Sequence, residues 1–374
     1  MDGAGGRPAS GERSELARGR GSNGTSLTVG GGRRLKRQRD YDEDDVRVRP
    51  GPSSRPRTRT RPKHDQADDG RVVAVDRGRY TCAVGGRLVT AMRARELGRR
   101  GVVVGDRVGV VGDTSGEEGA LARIVRIDER TSVLRRSADD DDTTVEGRQE
   151  KVIVANADQL VIVCSLADPP PRTGFIDRCL VAAYDADIEP LLCLTKSDLA
   201  GPDDLLAYYA ELVLPHVLCW PDRPLSALED ALLGRWSVMV GHSGVGKSTL
   251  VNRLVPDAYR AVGVVSAIGK GRHTSTSAVA LALPDEAGWI VDTPGVRSFG
   301  IAHVDPDNVL HGFPELVDAT ANCPPNCDHL GLSGDCGLDA LVTAGGGDAR
   351  RLASFRRLLV SRGGTGTGAD ADDT

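Results

Sequence analysis

A chain of 374 residues with a formal net charge of −5 is long enough for two or three hydrophobic cores. Only 3% of its residues are aromatic, so Val, Leu, Ala and Ile must build those cores. No apolar run approaches the ~20 residues that span a bilayer, and the first residues are Gly-rich and charged. A membrane protein and a secretory leader are therefore not expected, and the cytoplasm is the expected compartment. Of the eight cysteines, Cys82, Cys164, Cys179, Cys193 and Cys219 lie scattered in apolar stretches and read as reduced core residues.

Charge is distributed unevenly. Residues 1–64 hold 16 Lys and Arg against 8 Asp and Glu, so a basic arm precedes an acidic body. Residues 1–68 are rich in Gly, Ser, Pro and Arg with few large apolar side chains, which predicts disorder. Its basic runs at 33–39 and 55–63 suit either RNA phosphates or a solvated tail.

From 69 to 138 the apolar pattern has period two, at 73–75, 80–84, 88–92, 102–104, 108–111 and 124–127. Short strands separated by Gly and Asp turns predict a small all-β barrel of the oligonucleotide-binding type. Arg93, Arg95 and Arg107 are its candidates for RNA phosphate contact, against the alternative of a purely structural module. The acidic run 139–142 reads as a linker.

Between 150 and 302 strands and helices alternate. Strands are expected at Gln159–Ser165, 191–194 and 217–219, and helices at 175–184, 205–212 and 225–233. That rhythm predicts an α/β domain with a mostly parallel sheet and ligands at the carboxyl ends of its strands. The apolar run Trp236–Val240 then enters Gly241-His242-Ser243-Gly244-Val245-Gly246-Lys247-Ser248-Thr249, which fits the phosphate-loop pattern G-x-x-x-x-G-K-[ST]. Leu250, Val251 and Leu254 come next at helical spacing. Glycines let the backbone amides curl towards phosphate oxygens at a helix N-terminus. Lys247 would reach the β- and γ-phosphates, and the Ser248 hydroxyl would bind Mg²⁺.

Thr195-Lys196-Ser197-Asp198 stands at the end of a predicted strand and resembles the guanine-specificity motif [NT]-K-x-D. A carboxylate there accepts from N1–H and the exocyclic amine of guanine, a donor pair that adenine lacks. The alternative is an ordinary strand-to-helix turn capped by Asp198. Further on, a short apolar strand runs into Asp292-Thr293-Pro294-Gly295, a D-x-x-G pattern: Asp292 can hold Mg²⁺ and the Gly295 amide can sense a γ-phosphate. The polar stretch 270–276 between them is the natural switch segment, where Thr274 or Thr276 would complete Mg²⁺ coordination and His273 could help position water. Val296 has no hydrogen-bonding group, so the position after Gly295 cannot orient an attacking water.

Near the carboxyl end, Cys323, Cys327, His329 and Cys336 form C-x3-C-x-H-x6-C within 14 residues. Three thiolates and one imidazole close a tetrahedral Zn²⁺ site with no open position, so this metal would be structural; a disulfide with a spare thiol is the alternative. Helices are expected at 338–342 and 350–359 in this helical zinc-binding segment, 303–362, before a disordered tail at 363–374. Arg350, Arg351, Arg356 and Arg357 would contact RNA or solvate an exposed face.

In ordinary GTPases the phosphate loop comes first and the guanine motif last; here the guanine motif precedes the loop. The chain resembles a circularly permuted GTPase and, more closely, the ribosome small-subunit-dependent GTPase A family (RsgA/YjeQ). The phrases that carry the resemblance are 130–134, Ile176-Asp177-Arg178, 241–250, Gly271-Arg272-His273-Thr274 and 292–297. It implies a multi-domain chain: an amino-terminal barrel, a permuted GTPase domain and a carboxyl-terminal zinc domain. It also implies GTP and GDP as substrate and product, and the small ribosomal subunit with its rRNA as partner in late maturation. Slow intrinsic hydrolysis stimulated by the subunit, and a monomer with no membrane partner, are expected. Thr195 departs from the commoner Asn, replacing with a hydroxyl the amide that braces the phosphate loop. The zinc loop is one residue shorter than the family pattern, and the usual Ser-Ala turn behind the base is missing near Cys219-Trp220. Rival readings are an RNA-binding scaffold with structural nucleotide and a P-loop ATPase.

Overall fold

The computed structural model describes residues 66–98, 101–136, 151–256, 278–293, 301, 304–331 and 334–362. The basic arm, the acidic linker, the carboxyl-terminal tail and the switch residues His273, Thr274, Thr276, Gly295 and Val296 lie outside these.

Five strands, β1 (Asp68–Asp76), β2 (Arg79–Val84), β3 (Arg87–Arg93), β4 (Arg107–Gly112) and β5 (Ala122–Ile127), pair in the order β1-β2-β3-β5-β4. Strand β4 returns to β1, so the sheet closes into a barrel with no free edge. The period-two pattern fills its interior with Val72, Cys82, Val89, Ala91, Val108, Val110 and Ile124. The strand expected at 102–104 does not form. Val102 and Val104 are buried, but the Val103 amide donates to Asp106 Oδ2 at 2.8 Å and closes a turn, leaving Val104 only an isolated bridge to Val154. The run β6 (Val133–Arg136) pairs with β7 (Lys151–Ala155) in a separate antiparallel ribbon rather than with the barrel.

The central sheet runs β10 (His216–Cys219), β9 (Glu189–Thr195), β8 (Gln159–Ser165), β11 (Trp236–Val240), β13 (Trp289–Asp292) and β12 (Val279–Ala282). Neighbours are parallel except β12, which is antiparallel to β13. Strand β8 is buried along its whole length, as a continuous apolar run covered on both faces must be. Helices α1 (Thr173–Asp185), α2 (Asp203–Tyr208), α3 (Ser226–Leu232) and α4 (Lys247–Leu254) connect the strands. The chain winds outward from β8 to β10 on one side and from β11 to β13 on the other. The switch point between β8 and β11 opens a crevice at their carboxyl ends. The edge strand β12 also pairs with β1 through Val279 and Ala74, so the barrel continues the sheet.

Two seams hold the parts together. At the first, the half-buried Arg71 places its guanidinium 3.6 Å over the Trp236 ring and donates to the carbonyls of Gly105 (3.3 Å) and Asn156. Burial lowers this guanidinium to about 10. Asn156 receives the Thr131 amide at 2.8 Å and donates to Gly105 O at 3.0 Å, while Arg130 ion-pairs with the fully buried Asp106 at 2.7 Å. A Cβ on Gly105, whose φ is +92°, would stand 1.9 Å from Ala155 O, so only glycine fits there.

At the second seam, short helices α5 (Pro306–Val309) and α6 (Pro314–Val317) and the longer α7 (Gly337–Thr343) and α8 (Ala349–Arg362) pack around Phe313, Leu316, Leu338, Leu352 and Phe355, with Val181 of α1 in the same cluster. Arg351, expected on an exposed face, is instead buried. It pairs with Asp177 of α1 at 3.0 Å and Glu315 at 2.7 Å, donates to Gly312 O at 2.6 Å, and lies 4.3 Å over Phe313. Burial works to lower it, but Glu315 and Asp177 carry it above its ordinary value. Ser354 also donates to Asp177. Arg356 is likewise committed inside the fold, to Asp339 and to His329 O, each at 2.8 Å. Helical period explains the correction: 351, 354, 355 and 358 share one face, which the seam covers, while Arg350 and Arg357 remain exposed.

Candidate nucleotide and metal sites

The parallel register sets Ser165 of β8 opposite Thr195 of β9, and Val240 of β11 opposite Ile162. The guanine motif and the phosphate loop therefore leave β9 and β11, the two strands that flank β8, at the same edge of the sheet. The loop bends sharply there: Gly244 has φ +84° and Gly246 +92°, and a Cβ on Gly241 would meet Val163 O at 2.7 Å. Gly246 stands at the start of α4, whose first-turn amides carry the partial positive charge of a helix N-terminus. Val245 is buried beneath the loop, and Ser243, Gly244, Ser248 and Thr249 face solvent.

Thr195 joins the two motifs directly. Its hydroxyl donates to Val245 O at 2.6 Å, across fifty residues of sequence, and lies within 3.7 Å of where a Cβ on Gly246 would be. The hydroxyl thus reaches the phosphate loop from the position where the amide of an Asn was expected. Lys196, at φ +54°, extends its ammonium to Asp168 O. Ser197 donates to Leu194 O at 3.1 Å, and Asp198 stands exposed at the turn. At the other end, the Lys247 ammonium pairs with Asp292 and reaches Thr293 O at 3.5 Å, while the Thr293 hydroxyl donates to Met239 O at 2.8 Å. Strand ends β11 and β13 thereby bring a cation and a carboxylate together. Both are mostly buried, at 12% and 9% side-chain exposure, where charges act more strongly than in water.

The loop after β8 was not foreseen as part of this edge. Ser165 donates to Pro169 O at 2.6 Å, Pro169 lies 3.6 Å from where a Gly244 Cβ would stand, and Phe175 packs its ring 4.3 Å from that of His242. The run Pro169-Pro170-Pro171 directly after a strand end was the signal available for it.

The metal candidates converge. The ligand atoms of Cys323, Cys327, His329 and Cys336 all lie within 4.8 Å of one another. Cys323 Sγ is 3.5 Å from His329 Nδ1 and 4.0 Å from Cys336 Sγ, and Cys336 Sγ is 3.9 Å from His329 Nδ1. Zinc with bonds of about 2.0–2.3 Å needs tetrahedral edges of about 3.5–3.8 Å, so the cluster fits. Backbone amides of Gly337 (3.2 Å) and His329 (3.4 Å) donate to Cys323 and Cys327 Sγ, support that suits thiolates. The scattered cysteines are different: burial pushes Cys82 up to about 12 and Cys164 up to about 11, which keeps them protonated core residues. On the barrel, Arg93, Arg95 and Arg107 are exposed.

The RsgA GTPase family profile matches residues 127–302. A small ribosomal subunit biogenesis GTPase RsgA of Bordetella pertussis is 38% identical over 272 residues, covering 70% of this chain and 85% of the relative. The protein of that name from Ectopseudomonas mendocina is 41% identical over 223 residues, covering 57% and 64%. The crystal structure of YjeQ from Thermotoga maritima superposes with a TM-score of 0.59 at 26% identity, over 79% of this chain and 99% of that one. YloQ, a circularly permuted GTPase, shares the fold with a TM-score of 0.58 at 21% identity, over 82% and 98%. With the order of motifs, the closed barrel and these relatives in agreement, the chain belongs to the RsgA family of GTPases.

Proposed function

We propose that this chain hydrolyses GTP to GDP and phosphate while bound to the small ribosomal subunit, and that it acts in the biogenesis of that subunit in the cytoplasm. The observation that carries the nucleotide reading is the hydrogen bond from Thr195 to Val245, which holds a guanine motif against a phosphate loop at one sheet edge. The names of the relatives supply the partner. Among the described residues no helix is long and apolar enough to cross a membrane.

In this reading Asp198 accepts from the guanine base and Lys196 lies along it, while the amides of 241–249 and Lys247 hold the phosphates. Ser248 and Asp292 would hold Mg²⁺, which would neutralise charge on the transferring phosphoryl group. Lys247 and Asp292 face each other, so the ammonium would serve a phosphate and the carboxylate the metal from one spot. Thr274 or Thr276 would complete Mg²⁺ coordination, and the Gly295 amide would sense the γ-phosphate. With Val296 unable to orient water, intrinsic turnover is slow and the subunit, through its rRNA, accelerates it. Cys323, Cys327, His329 and Cys336 hold one structural Zn²⁺. Its chemistry would be to crosslink the loop 323–336 to itself beside the cluster around Phe355.

Hydrolysis of labelled GTP with and without purified small subunits, and with ATP as competitor, tests the proposal. Stimulation by subunits and no competition by ATP are expected. An unchanged rate at saturating subunits would remove the partner; equal competition by ATP would remove the guanine assignment.

A further inference from the structure

We propose that Cys193 and Cys219 are a modification site: oxidised by a peroxide, they close a reversible disulfide behind the guanine motif, and the closed bridge weakens nucleotide binding. The second half of the proposal rests on the guanine-nucleotide reading above.

The two cysteines lie on neighbouring parallel strands, β9 and β10. Register sets Cys193 opposite Val217 and Cys219 opposite Thr195, so the thiols are diagonal neighbours. Strand alternation gives residues 193 and 195 one face of β9, and residues 217 and 219 one face of β10. Both cysteines belong to the same apolar cluster, and both are free and buried. Their sulfurs stand 3.6 Å apart in a thiol–thiol hydrogen bond. A disulfide closes that distance to about 2.05 Å.

The pair is asymmetric. The hydrogen bond from Cys193 holds the Cys219 thiol below its ordinary value against the effect of burial, and the Arg253 guanidinium adds to this. The same hydrogen bond, with full burial, pushes Cys193 up. Thiolate is the reactive form, so Cys219 is the sulfur that meets the oxidant and Cys193 the one that resolves it. Cys219 also ends β10 beside the half-buried Trp220, whereas Cys193 lies inside β9 with no exposure.

With hydrogen peroxide the steps balance. The Cys219 thiolate attacks one peroxide oxygen and the O–O bond breaks, giving a sulfenic acid and a hydroxide that takes up the thiol proton as water. Cys193 then gives up its proton as its sulfur attacks the Cys219 sulfur; the S–O bond breaks and a second water leaves. Two electrons pass from the sulfurs to the peroxide, and a dithiol reductant returns them. In a reduced cytosol the pair rests as two thiols, and cytosolic bridges are usually transient and redox-sensing.

Closure draws the sulfurs about 1.5 Å together. Because the partners are diagonal rather than opposite, the displacement falls on the register of β9 and β10 at their carboxyl ends. Thr195, opposite Cys219, carries the hydroxyl that holds Val245 O of the phosphate loop at 2.6 Å. Arg253 of α4 holds the carbonyl of the next residue, Trp220, at 2.8 Å. Movement of Cys219 is thus passed both to the guanine motif and to the helix that begins with Lys247.

The test treats the full, zinc-loaded chain with hydrogen peroxide, alkylates the remaining thiols and maps the unreduced digest by mass spectrometry. A chromogenic zinc chelator scores damage at Cys323, Cys327 and Cys336 separately. A peptide joining Cys193 to Cys219, two hydrogens lighter, is expected. Ribose-labelled fluorescent GDP should bind roughly 2- to 10-fold more weakly, the range of one neutral hydrogen bond, and dithiothreitol should restore it. Cys193→Ala, with Cys193→Val as the fuller replacement in case alanine unfolds the chain, should keep its GDP affinity through peroxide and show Cys219 as a sulfenic acid trapped by dimedone. Absence of the joined peptide, or a bridged chain that binds GDP as the reduced one does, overturns the proposal. So does a loss of affinity that persists in both Cys193 variants with zinc retained. Failure of the reduced wild-type chain to bind labelled GDP would instead remove the guanine reading, and the peptide map alone would then decide the bridge.

Discussion

Two arginines, Arg71 half-buried and Arg351 buried, close the two seams of this molecule, and they do so by different physics. Arg71 meets carbonyl oxygens and an indole face, and among the described residues it makes no ion pair. Arg351 meets two carboxylates, Asp177 and Glu315. Burial pulls the first down to about 10, still charged at neutral pH, whereas ionic partners hold the second above its ordinary value. At the barrel seam Arg71 is therefore a polar clamp whose hydrogen-bond partners are neutral carbonyls, set beside the separate Arg130–Asp106 ion pair. The carboxyl-terminal seam is an ionic lock that leaves a buried charge.

The largest test of that difference is removal of the metal. The cysteines pack in the same cluster as Phe355 and Leu352, on the helix that carries Arg351. A strong chelator should abolish amide-exchange protection across 313–362 and leave 68–136 protected; loss in both regions would show that the seams are not independent. Next in size is Arg351→Met, which strands the Asp177 carboxylate. A loss of about 3–5 kcal/mol is expected in urea unfolding, with most of it restored by adding Asp177→Asn. A loss below about 1 kcal/mol, or no restoration, would break the description of the seam as an ionic lock.

At the barrel seam, Gly105→Ala forces a Cβ into Ala155 O at a positive φ, and about 2–4 kcal/mol should be lost. Arg71→Met is the mildest, removing two hydrogen bonds and the contact with Trp236 for about 1–3 kcal/mol. Should Arg71→Met cost as much as Arg351→Met in the same unfolding experiment, the contrast between clamp and lock would fall.

The chemistry of this chain is local, and local chemistry is legible. Phosphate loop, guanine motif and metal cluster each occupy fewer than fifteen consecutive residues, because an anion, a base edge or a tetrahedral ion is small enough for one turn of chain to surround. The alternation of barrel residues and the continuous apolar strands of the sheet were equally readable, since burial on one face or two writes its period directly. Arg351 was misread for the opposite reason. Its partner lies 174 residues away, and a helix with arginines on it looks the same whether one of them points to water or to Asp177.

By itself, then, the sequence determined which groups this protein has for phosphate, guanine and metal, and in which order they come. Only the tertiary structure decided what stands beside them: Ser165 against Pro169, Arg351 against Asp177, Gly105 against Ala155. Contacts of that kind depend on strand order and register, which arise from the packing of the whole chain and leave no period in any short stretch of it.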